Sequence, residues 1–170
     1  QAFREVMALP SRSNRFSEAV RDLARLLASQ GRASEAIGVL ESARPAGRPS
    51  GDARRVVRLL AELLADRAAA DRKAYRDRQA QEGWLQAASL YAQLVEEPED
   101  AAERQDDLGA LGSVWEDLAR AAPDAAAHEA ARGKAIDSWR KAAAAVPESS
   151  RASRLEAKAG AVRSIPGARS

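Results

Sequence analysis

Cysteine is missing from all 170 residues. Disulfides, thiolate metal sites and cysteine nucleophiles are therefore excluded, while the redox compartment stays open. Aromatic residues are nearly as scarce, with three Trp, two Tyr and two Phe, so large rings cannot supply most of a core. No apolar run approaches the roughly 18 to 20 residues of a membrane span, and no signal-peptide pattern is read at the start. The expectation is a soluble chain with no direct membrane insertion, in a cytoplasm or a periplasm.

What the chain holds in quantity is alanine, nearly one position in four, and arginine, 23 against four lysines. Alanine is the best helix former and lets helix backbones come close. Seven prolines and ten glycines fall mostly between apolar-periodic segments, which predicts an all-α fold of helices broken by short turns. Ala and Arg richness is also what a GC-rich, bacterial coding sequence produces. The chain starts at Gln1 without an initiator Met, which reads as a processed or excised piece. Net charge is +2 but unevenly placed: +6 over 1–78, −10 over 79–129 and +6 over 130–170. An acidic middle between basic ends is either a set of solvated helix faces or a means of charge-complementary homo- or hetero-association.

Three runs repeat one pattern: "EAIGVLESARP" (35–45), "QAASLYAQLVEEP" (86–98) and "KAIDSWRKAAAAVP" (134–147). Aligned on Ala36, Ala87 and Ala135, they place Leu40, Tyr91 and Trp139 one turn on, and Ala43, Leu94 and Ala142 nearly a turn further. Small, large, then small or apolar at i, i+4 and i+7 is one helix face. The small residue sits where another backbone comes close, and the large one wedges between neighbours. Each run stops at a proline: Pro45, Pro98 or Pro147. Apolar spacing predicts helices over 14–29, 34–44, 52–81, 84–97, 99–122, 124–145 and 150–164.

This face with its terminal proline resembles the second helix of a tetratricopeptide repeat (TPR). The segment 23–43 carries the fullest match, with Leu23, Ala24 and Leu27 suiting the first helix, Gly31 the turn, and Ala36, Leu40 and Ala43 the second. The family repeats at about 34 residues. Ala2 and Ala36 stand one such period apart, so the opening stretch with Val6, Leu9 and Pro10 reads as a leftover second helix. The later intervals, Ala36 to Ala87 and Ala87 to Ala135, exceed that period by close to half, and lengthened first helices are the expected cause.

The resemblance implies a single TPR-like domain over 1–170: antiparallel helical hairpins over 13–49, 50–98 and 99–147, stacked as a short solenoid. A repeat remnant or N-terminal arm over 1–12 would precede them, and a capping helix and tail over 148–170 would follow. The packing signature is Ala36, Leu40, Ala87, Tyr91, Ala135 and Trp139. First helices of such arrays line a groove that receives a partner. Two fixed offsets back from the three aligned alanines, fifteen and eleven positions, reach Arg21, Arg25, Arg72, Arg76 and Arg120, with Asp124 the exception. These five form the expected partner-binding groove, with planar bidentate donors for an acidic protein segment.

Signals for chemistry are weak. His128 is the only histidine, and "HEAAR" lacks the second histidine of a zinc-protease motif. Ser138 and Lys141 have Ser-x-x-Lys spacing but fall inside a predicted helix without companion motifs. The acidic run 96–107 lacks the alternation and central glycine of a calcium loop, and its charges suit the start of the fifth helix. Arginines of the third helix interleave with Asp52, Glu62, Asp66, Asp71 and Asp77, leaving only Tyr75 for base stacking, which disfavours nucleic acid. The expectation is no enzyme, no metal and no cofactor, but a non-catalytic protein–protein interaction scaffold within a larger bacterial assembly. Alternatives are a permanent structural subunit of a multiprotein complex and an accessory domain of a larger enzyme.

Overall fold

Local chemistry sets where several of the helices start or stop. The structure, a computed structural model, describes residues 14–45, 47, 49, 51–96 and 98–162. Through them run α1 (Asn14–Ser29), α2 (Ala33–Ala43), α3 (Asp52–Lys73), α4 (Asp77–Glu96), α5 (Ala101–Arg120), α6 (Ala125–Ala145) and α7 (Ala152–Ala161), and no strand occurs among the described residues. The expected arm over 1–12, with Ala2, Val6, Leu9 and Pro10, lies outside the described residues, as do the last two positions of the helix expected over 150–164. Asp100 and Asp124 cap α5 and α6. Their carboxylates accept the amides of Glu103 at 2.7 Å and Ala127 at 2.8 Å, filling first-turn donors that the helix itself leaves open.

α1 and α3 end alike. After α1, Gly31 takes φ 75° and the Arg32 amide donates to the Leu27 carbonyl at 2.9 Å, a left-handed stop that glycine adopts freely. After α3, Tyr75 takes φ 58° and the Arg76 amide donates to the Asp71 carbonyl at 2.9 Å. A side-chain-bearing residue held there costs roughly 1–2 kcal/mol, and composition gives no warning of it. Sequence alone places the α3–α4 break at 82–83, beside Gly83. The structure corrects this to 74–76. Gly83 serves packing instead: a Cβ on it would stand 3.0 Å from that of Ala68, so the glycine lets α4 lie close on α3.

Lengths are corrected with the break. α1 and α2 have 16 and 11 residues, α3 and α4 have 22 and 20, and α5 and α6 have 20 and 21. The second helices grow more than the first, although the growth is expected of the first helices. Matching the two left-handed stops, Gly31 and Tyr75, sets Ala80, Trp84 and Ala87 opposite Ala36, Leu40 and Ala43. Ala87, Tyr91 and Leu94 repeat that pattern two turns further along the same face, because seven residues return a helix almost to its starting side. All of these except the partly buried Ala43 are buried.

α1 packs on α2, α3 on α4 and α5 on α6, while α3 also meets α1 and α2, α4 meets α5, and α7 closes on α6. The apolar interior falls into two parts. The larger spans α1 to α5 and reaches α6 at Ala131, with Val20, Leu40, Leu60, Leu64 and Leu94 enclosed. The smaller, between α5, α6 and α7, surrounds Trp139, 1% exposed, with Ala135, Ala142, Ala143, Ala152 and Ala159 and a few larger apolar residues. Trp115 touches both parts, and the Lys134 ammonium lies 4.1 Å from its ring centroid.

Trp139 fits because α5 is notched. A Cβ on Gly112 would come within 2.5 Å of the indole nitrogen, and that nitrogen donates to the Gly109 carbonyl at 3.2 Å. Gln105 ties the far ends of the same helices. Its amide donates to the carbonyl of Ala142 at 3.1 Å and to the Ser149 hydroxyl at 3.1 Å, and Ser149 Oγ accepts the Ala152 amide, also at 3.1 Å. One buried side chain thus serves the end of α6 and the start of α7, where helix groups lack partners.

Candidate interaction surface

The first helices carry the charged face that the groove expectation concerns. Arg21 and Arg25 sit in the middle of α1: Arg21 Nε donates to the Ser17 carbonyl at 3.4 Å, and Arg25 lies 3.7 Å from Asp22 with both side chains well exposed. Arg72 and Arg76 stand elsewhere along their hairpin. Arg72 lies in the last turn of α3 and pairs with Asp77, and Arg76 follows the Tyr75 turn and pairs with Asp71 at 2.6 Å. Arg120 ends α5 and pairs with Glu116 and Asp117. The structure therefore does not bring the five arginines to matched places on three helices. In the register of the two left-handed stops, Ala65 and Ala69 of α3 correspond to Arg21 and Arg25.

A different set of charges joins the first helices. Arg54 and Arg58, one turn apart on α3, meet Glu103 and Asp107, one turn apart on α5. Arg58 grips Asp107 with Nε and Nη2 at 2.7 and 2.9 Å, and its Nη2 also meets Glu103 at 2.7 Å. Arg54, 1% exposed, donates to Glu103 at 3.1 Å, to the wholly buried Asp107 at 3.4 Å, and to the Leu94 carbonyl at 2.8 Å. That carbonyl lies in the last turn of α4, where helix acceptors lack partners. Two cations and two carboxylates thus balance in a nearly dry seam, with a helix end tied to them.

Protonation follows that geometry. The hydrogen bonds it donates to Asp107 are the main reason that the Arg58 guanidinium is raised above its ordinary value; burial opposes them, and Glu103 adds to them. Burial alone would raise the Glu103 carboxyl. The Arg58 hydrogen bond, the Glu99 amide and the charges of both arginines outweigh it and hold that carboxyl below its usual range. The field reaches further. Glu62 is pushed up, first by desolvation and then by Asp66 and Asp107, against Arg58 and Arg25. The Tyr91 hydroxyl is raised by burial and by the charges of Glu62 and Asp107. From Arg25 through Glu62 and Arg58 to Asp107, the sign of charge alternates across α1, α3 and α5.

The remaining singled-out residues are engaged locally. The buried His128 holds Nδ1 2.9 Å from the Ala119 carbonyl, near the end of α5, and since a carbonyl can only accept, Nδ1 carries the proton. Ser138 Oγ donates to the Lys134 carbonyl at 2.8 Å, and Lys141 pairs with Asp137 at 2.7 Å. Ala36, Leu40, Ala87, Tyr91, Ala135 and Trp139 are all buried. Among the described residues no group of three His, Cys, Asp or Glu side chains is placed to hold a metal ion, and no helix is long and apolar enough to cross a membrane.

Sequence reasoning treats Arg54, Arg58, Glu103 and Asp107 as solvated charges. The available signal is that each pair stands at i, i+4 with opposite sign, spaced to meet a facing helix. Comparison of the chain with models of known protein families and with curated proteins gives no match.

Proposed function

We propose that the chain is a TPR-like protein-interaction module working within a larger bacterial assembly. One observation carries this reading: α1–α2 and α3–α4 repeat the same left-handed stop, with the same amide-to-carbonyl bond, and the same small–large–small face. Stacked copies of one hairpin build an extended surface, and such surfaces serve partner binding. The first-helix face is the one offered, with acidic protein segments as its partners. Of the five expected groove arginines, Arg21 and Arg25 are the least committed to their own chain. Both remain in the proposed site, and Arg72, Arg76 and Arg120 reach a partner only by exchanging the carboxylates they now hold.

Photo-cross-linking in the native host tests this. A cross-linking residue at Arg21 or Arg25 should yield a discrete adduct with another protein, while one at Gln86 on α4 should not. Capture should weaken as ionic strength rises from about 0.05 to 0.5 M, where the screening length falls below about 10 Å. Adducts formed only with other copies of the chain, or an isolated chain that fails to fold at low micromolar concentration, would favour the permanent structural subunit instead.

A further inference from the structure

Between α5 and α7 lies a cleft of about 300 Å³. Its α5 wall is low because Gly109, Ala110 and Ser113 are small, and Trp139 and Leu155 lie at its base. The α7 wall carries Arg151, Arg154 and Lys158, and Asp106 is the one acidic residue among those lining the cleft. These cations are not equivalent. Arg151 pairs with Asp106. Arg154 Nε reaches only the Ser150 carbonyl just ahead of its helix, at 3.4 Å, and Lys158 stands 5.4 Å from the Trp139 ring centroid. Neither has a carboxylate partner among the described residues. Two exposed cations therefore flank a trough whose opposite wall is small and, apart from the Asp106 already paired with Arg151, uncharged.

Arg154 and Lys158 are one turn apart on α7, so their side chains start roughly 5–6 Å from each other. In an extended peptide, residues i and i+2 share a side and lie about 7 Å apart, while residue i+1 points the other way. An alternating acidic–apolar segment matches both walls at once: carboxylates to Arg154 and Lys158, apolar side chains toward Gly109, Ala110 and Ser113. Asp106 inside the cleft disfavours a dianionic phosphate and tolerates two separate single charges.

We propose that this cleft binds an extended segment of a partner protein in which acidic and apolar residues alternate. The proposal rests on the interaction-module reading and assigns that module a second contact, away from α1. The probe is a fluorescein-labelled hexapeptide of alternating Glu and Leu, followed by anisotropy with the full chain at about 0.05 M salt. Binding in the range of roughly 10–100 µM is expected. Arg154→Gln with Lys158→Gln should weaken it about tenfold or more and leave the thermal melt within a degree or two, since both residues are exposed. A Gln–Leu peptide should not bind, and millimolar inorganic phosphate should not compete.

Absence of peptide binding, equal binding by the double variant, equal binding of the Gln–Leu peptide, or displacement by phosphate overturns the proposal. Loss of binding in Arg21→Gln with Arg25→Gln, but not in the α7 variant, overturns the cleft and leaves the interaction module standing.

Discussion

The two interiors are filled by different means. Between α1 and α5 many Leu and Val side chains share the contacts, and a charged seam of Arg54, Arg58, Glu103 and Asp107 crosses from α3 to α5. Between α5, α6 and α7 much of the packing is alanine around a single fully buried indole, with Trp115 at its edge. Alanine permits close helices but contributes little apolar area, so one large ring carries a disproportionate share of the burial, at about 25 cal/mol per Å². The first region distributes its apolar stability and concentrates its polar risk. The second concentrates its apolar share in Trp139, whose ring fills the Gly112 notch and whose nitrogen is bonded to Gly109, and divides its polar risk between that bond and the buried Gln105.

The largest expected effect tests that concentration. Trp139→Ala should cost about 3–5 kcal/mol, and hydrogen exchange should show α6 and α7 losing protection before α1 to α4. Uniform loss along the chain would abolish the distinction between the regions. Next is Asp107→Asn, which leaves the buried Arg54 and the partly buried Arg58 short of a counter-charge and should cost about 3 kcal/mol by chemical denaturation. Replacing Arg54, Arg58, Glu103 and Asp107 together by apolar residues of similar size should recover much of that loss, because an unpaired buried charge costs more than an absent pair.

Acid sharpens the contrast further. The Glu103 carboxyl is depressed in the folded chain, so its stabilisation is present above the unfolded carboxyl range and is lost as pH falls through the folded value. Glu62 and Asp117 are raised and act in the opposite sense, since protonating them favours the fold. Urea midpoints at pH 7, 5 and 3 should fall toward pH 3, and Glu103→Gln should flatten that fall while costing about 1–3 kcal/mol at pH 7.

Smaller effects separate the tryptophans. The buried Trp84 Nε1 has no hydrogen-bond partner among the described residues, so Trp84→Phe should change stability by less than about 1 kcal/mol. Trp139→Phe forfeits a made bond and should cost about 1 kcal/mol more than Trp84→Phe. Smallest, and opposite in sign, is Tyr75→Gly. Tyr75 is 90% exposed at φ 58°, so removing its side chain should stabilise by about 0.5–1 kcal/mol, read as a small upward shift of the melting temperature.

The all-α class and the helical hairpins were legible in the sequence because face periodicity depends on nearest neighbours along a helix. The end of α1 was legible because Gly31 states its own conformation. The end of α3 was not, since Tyr75 adopts the left-handed shape against its local preference and only tertiary packing decides for it. The arginine offsets met the same obstacle: counting from Ala87 instead of Ala80 carries them seven residues on, to Arg72 at the end of α3 and Arg76 beyond the Tyr75 turn. The charged seam was hidden differently. Its pairs join residues 45 to 53 positions apart, and no local pattern says which charged face meets another.

The seven-residue echo along α4 has a consequence for how such a chain changes. Adding or removing two turns moves a helix end by about 10 Å yet returns each side chain to nearly its former side. Inheritance can therefore alter the reach of a hairpin in discrete steps without redesigning what it touches. α4 offers α3 two usable starting points, Ala80 and Ala87, and the stop at Tyr75 selects the first. A lineage that moved that stop by seven residues would keep its contacts and acquire a hairpin of different span.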